Sequence, residues 1–114
     1  MKPGAVLSAG AIAIALAGSG NAMQVAKIQV SPSGGIVIDG RAASLHQLEE
    51  TLAREKKERG EIWYYREAPT SEPTDAQIRV FTKIMNSGLH ITLSTRSDFS
   101  DWVDDEGLSH PRNP

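Results

Sequence analysis

The chain contains no cysteine. That absence removes disulfide frameworks, thiol catalysis and thiolate metal sites together, and it leaves the redox compartment open. A cationic excess is also missing: the formal net charge is −2, and lysines and arginines are interleaved with acids, so nucleic acid is set aside as a partner. Neither a G-x-S-x-G elbow, nor a Walker loop, nor a dinucleotide fingerprint occurs. The histidines His46, His90 and His110 fall in a predicted helix, a predicted strand and the terminal tail, without the paired spacing that presents a metal. The acids Asp98, Asp101, Asp104, Asp105 and Glu106 lack the alternating oxygens and central glycine of a calcium loop. No metal, cofactor or catalytic residue is expected. With 114 residues there is room for one domain, and the glycines are taken up by turns and caps, so the expectation is a non-enzymatic protein.

Long hydrophobic runs are scarce as well. The one uncharged apolar stretch, Ala5 to Ala17, has about 13 residues, short of the ~20 that a membrane span needs. A basic start at Lys2, this apolar middle, and small residues Gly20 and Ala22 before a cut match a secretory signal at 1–22, cleaved after Ala22. The alternative is an uncleaved N-terminal anchor. The mature domain then spans 23–104, and the polar, proline-bearing end, 105–114, is expected to be a disordered tail.

What is present is a sequence of short amphipathic elements. Ile28 and Val30 alternate with Gln29, "SPSGG" breaks the chain, and Ile36 and Ile38 follow, which is a hairpin pattern. After Asp39-Gly40 a helix opens at Ser44, with Gln47 as its capping-box partner and Leu45, Leu48 and Leu52 on one stripe. The charges from Glu49 to Arg59 form its solvated side. Gly60 suits the position after the helix, and "EIWYYR" is a strand. Thr74 and Gln77 repeat the capping box for a second helix bearing Ile78, Phe81, Ile84 and Met85, closed by Gly88; "HITLST" is the last strand. The predicted fold is α+β: a small mixed β-sheet in β-β-α-β-α-β order with two helices packed on one face. In the tail, Phe99, Trp102 and Val103 sit at helical spacing and predict a short docking turn.

Strand alternation directs attention to one face. With Ile62 and Tyr64 inward beside Ile91 and Leu93, Trp63 and Tyr65 fall on the reverse of the sheet with His90 and Thr92. Large aromatics on an open polar sheet anchor interfaces, so these four are the candidate partner-binding residues. The competing reading is that the tail folds across and covers them, or that Trp63 and Tyr65 are core.

The stretch from Ile28 to Leu52 resembles the periplasmic domain of the ExbD/TolR family, through Gly35-Ile36-Val37-Ile38-Asp39-Gly40 and Ser44-Leu45 with Leu48, followed by the strand from Ile62, Ser87-Gly88, and His90 through Thr95. These motifs are mostly turn and core positions. The resemblance implies an exported, periplasmic fold of that type, or one anchored in the inner membrane and facing the periplasm, pairing with an envelope protein or with a second copy of itself. It does not extend to energy transduction: family members carry a membrane-spanning aspartate, and this chain has no acidic residue before Asp39. A second class, a periplasmic small-ligand or cell-wall-binding domain using ring stacking, fits the same open face.

Overall fold

The first strand, β1, is Val25–Val30. Ala26, Ile28 and Val30 on it are fully buried, while Lys27 and Gln29 point to the other side. A five-residue turn follows, in which the Ser31 amide donates to the Gly35 carbonyl at 2.9 Å and Gly34 adopts φ 93°. It leads into β2, Ile36–Ile38, antiparallel to β1 with Val30 opposite Ile36. Asp39 and Gly40 both take positive φ, 51° and 86°, the two-residue hairpin geometry that the Asp-Gly pair favours. The chain therefore turns back as β3, Arg41–Ala43, a strand not expected between the Asp39-Gly40 turn and the helix.

Helix α1 covers Leu45–Lys57, and the Ser44/Gln47 capping box is present in both directions. Its C-terminal turn departs from expectation. Arg59, not Gly60, takes the left-handed φ of 59°. Gly60 is required for a different reason: a Cβ there would stand 2.7 Å from the Gln24 carbonyl oxygen and collide with the Glu55 carboxylate. Strand β4, Glu61–Arg66, then runs parallel to β1. Helix α2, Asp75–Asn86, carries the Thr74/Gln77 capping box and ends at Gly88, with φ 78°. The buried Gln77 side chain donates to the carbonyls of Val30 and Glu67, which fixes the helix start over the ends of β1 and β4. At the other end Lys56 reaches from α1 to the Ser87 carbonyl at 2.8 Å, so a cation from one helix satisfies the terminus of the other.

Strand β5, His90–Ser94, pairs parallel to β4. Two further strands complete the sheet: β6, Asp101–Val103, and β7, Ser109–Pro111. The result is a seven-stranded mixed sheet in the order β3-β2-β1-β4-β5-β6-β7, an α+β fold with more strands than expected. The computed structural model describes residues 24–112, so the predicted signal at 1–22 lies outside the described residues. Residues 105–112, expected to be disordered, instead form a hairpin with 101–103. A turn links them, in which the Asp104 carboxylate accepts from the amides of Glu106 and Leu108 and Gly107 adopts φ 84°. The helical turn expected at Phe99, Trp102 and Val103 is absent, because Trp102 and Val103 lie in β6 and point to opposite faces.

Between sheet and helices lies one core, built from Ile28, Leu48, Leu52, Ile62, Tyr64 and Ile84 among others. Tyr64 packs on Phe81 with ring centroids 4.7 Å apart. Among the described residues no helix is long and apolar enough to cross a membrane.

Candidate functional site

The alternation in β4 is as predicted: Ile62 and Tyr64 are buried against the helices, and Trp63 and Tyr65 face the reverse. That reverse face is roofed by the chain itself. After β5 the segment Ser97–Phe99 swings back toward Lys27, Gln29 and Val37, and the buried Phe99 meets Tyr65 edge-on at 6.4 Å. Arg112 crosses from beyond β7, its guanidinium carbon 3.6 Å from the centre of the Trp63 ring. Three hydrogen bonds hold it there, to the carbonyls of Phe99 and Asp101 and to the Ser94 hydroxyl. The Trp63 indole N–H donates to Glu61 at 2.7 Å, and Thr92 donates to the same carboxylate oxygen at 3.3 Å. Of the four residues singled out for partner contact, Trp63, Tyr65 and Thr92 are thus half-buried in an internal network. His90 alone is exposed.

The roof is itself anchored by Asp101, nearly buried, whose carboxylate accepts from the Thr95 amide and hydroxyl and from the Ser109 hydroxyl at 2.7 Å. Burial alone would raise its pKa, but these hydrogen bonds outweigh it and the carboxyl is held below its ordinary range. Nearby, His110 pairs with Asp104 at 2.7 Å and stacks on Trp102 at 4.6 Å. Among the described residues no group of three or more histidines and acids is placed to hold a metal.

The opening lies on the other side. Two helices cannot span seven strands, and α2 stops short of β5 and β6. Ile91 and Leu93, expected to be inward, are respectively half-buried and 41% exposed. A cleft of about 420 Å³ remains, walled by Phe81 and Met85 of α2, floored by Tyr64, Leu93 and Val103, and closed at one end by Pro69 and Pro73. Its surface is predominantly apolar, and among the described residues Arg66 is the only charged one that lines it. One Arg66 nitrogen donates to the Pro69 carbonyl at 2.7 Å, which holds the guanidinium at the rim. Burial raises the pKa of the Tyr64 phenol, with the Arg66 charge acting in the opposite direction. A second cleft lies on the far side of α2, between it and α1, lined by Ile36, Leu45 and Val80; Ile78 borders both clefts.

No family model, curated protein or solved structure matches the chain.

Proposed function

We propose that the protein is an exported, non-enzymatic protein-interaction domain of a bacterial envelope, accessory to an ExbD/TolR-type transport system, and that it makes contact through the apolar cleft beside α2. One observation carries this reading: Ile78, Met85 and Leu93, 47%, 49% and 41% exposed, surround a single concave apolar surface. Exposed apolar residues scattered singly are ordinary, but a contiguous patch marks a contact site. The β1-β2 hairpin, the Asp39-Gly40 turn, the two capped helices and the order of β4, α2 and β5 support the ExbD/TolR likeness.

A second reading, a periplasmic domain for a small ligand or for cell-wall material, is favoured by the cleft volume, which falls within the ~300–1,000 Å³ usual for ligand pockets. A photo-crosslinking residue at position 93, compared with one at the solvated Lys57, separates them in intact cells. The interaction reading expects an adduct with another envelope protein from position 93 only. Adducts confined to glycan strands, or none at all, would overturn it.

A further inference from the structure

Resting on the interaction reading, we infer that the occupant of the cleft is an amphipathic α-helix of a partner protein, laid alongside α2 with an acidic side chain against Arg66. The geometry has three parts. First, α2 presents two apolar stripes. Val80 and Ile84 face the core, whereas Ile78, Phe81, Thr82 and Met85 face the cleft at i, i+3, i+4 and i+7. That spacing is the seam of a helix with a helical neighbour, and only one such neighbour, α1, is supplied by the chain among the described residues.

Second, the floor is a sheet. Helices lie side by side on a sheet with their axes roughly 8–10 Å apart, so the strip over β5 and β6 is the place of the next helix in the layer. Leu93 and Val103 are opposed across those two strands and offer it an apolar bed.

Third, charge decides the partner's polarity. Among the described residues Arg66 is the one ionised group in the lining, and it sits where α2 begins. Of the other polar groups there, Gln77 is committed to backbone carbonyls, Ser94 to the Asp101 carbonyl and Thr95 to the Asp101 carboxylate, and the Tyr64 and Thr82 hydroxyls carry no charge. A carboxylate from the partner therefore meets an unopposed guanidinium, in the forked geometry that arginine favours. A lysine there would be repelled.

The test uses a hydrocarbon-stapled peptide of roughly four helical turns, with leucines at i, i+4 and i+7 and a glutamate at the end nearest Arg66. Two companions serve as controls, one with lysine replacing the glutamate and one unstapled with a central proline. Calorimetry should give at least tenfold tighter binding of the acidic stapled peptide than of either companion. NMR shifts should be confined to the side chains of Ile78, Met85, Leu93 and Val103. Arg66→Gln should abolish the acid preference, and Met85→Glu should abolish binding, both with the native circular-dichroism spectrum retained at the temperature of the assay.

Equal binding of acidic and basic peptides overturns the inference, as does tighter binding of the proline peptide, which would indicate an extended occupant. Sedimentation showing a dimer that Met85→Glu dissociates also overturns it, by making a second copy the occupant. Crosslinks from position 93 without peptide binding defeat the helix and spare the interaction reading. Peptide binding without crosslinks does the reverse.

Discussion

Glu55 is the most exposed to test of the stability-determining residues, because it is a carboxylate in the wrong place. It lies on the inner side of α1 with 2% of its surface accessible, and its Oε1 has no hydrogen-bond partner among the described residues. Its other oxygen is 3.5 Å from an Arg54 guanidinium that is itself 53% exposed, so little attraction is recovered. Burial, opposed weakly by Arg54, raises its pKa above the ordinary 4.5. The direction of the pH effect follows. Below the ordinary value both folded and unfolded chains hold the proton and nothing is lost. As pH rises past it the unfolded chain ionises while the folded chain resists, and stability declines until the folded pKa has been passed. A buried polar atom without a partner costs about 1–3 kcal/mol. Glu55→Gln, which cannot ionise and whose amide has the Gln24 carbonyl close by across Gly60, should stabilise the domain by about 1–2 kcal/mol at pH 8 and by almost nothing at pH 4. Urea unfolding of both proteins at several pH values measures the difference, which isolates Glu55 from the other acids. A difference that does not change with pH, or a variant less stable at pH 8 than the native chain, would refute the reasoning.

The roof over the reverse face gives two further expectations. Arg112→Ala removes a cation over Trp63 and three hydrogen bonds, so it should cost about 1–3 kcal/mol and shift Trp63 emission to the red in a Trp102→Phe background. Arg112→Lys, which lacks the fork, should not restore the emission. Asp101→Asn should cost about 1–3 kcal/mol at pH 7, and the deficit should vanish as pH falls through the depressed folded pKa, where the native carboxylate is also protonated. Thermal melts across that pH range give the comparison.

Local signals in the sequence located the elements whose causes are local. Both capping boxes, the hairpin at Ser31–Gly35, the stripe of Leu48 and Leu52, and the inward-outward alternation of Ile62 to Tyr65 involve residues within a turn or two of each other. The third strand escaped notice because Arg41-Ala42-Ala43 has no β-branched residue, although Asp39-Gly40 was a hairpin signal. Strands of three residues, such as β6 and β7, are too short to establish a period, and the hydrogen bonds of Asp101 that fix them, to Thr95 and Ser109, follow no helical or strand spacing. The cleft was illegible for a related reason. It arises from strand order, which sets β5 and β6 beyond the reach of α2, and no window of sequence records that placement. On the reverse face alternation gave the side on which Trp63 and Tyr65 lie and left open whether the tail covers them; the structure shows that cover, made by Phe99 and Arg112.

The parallel pairing of β1 with β4 has a consequence for how the domain is assembled. Hairpins at Ser31–Gly35 and Asp39-Gly40 close among near neighbours and can form early, but the second edge of β1 waits for Glu61–Arg66 to arrive from beyond a complete helix. During synthesis or refolding that edge is a vacant berth, and at high concentration the first strand to dock there can come from another copy. Exchange of β4 between molecules is therefore the misassembly to which this topology is most prone.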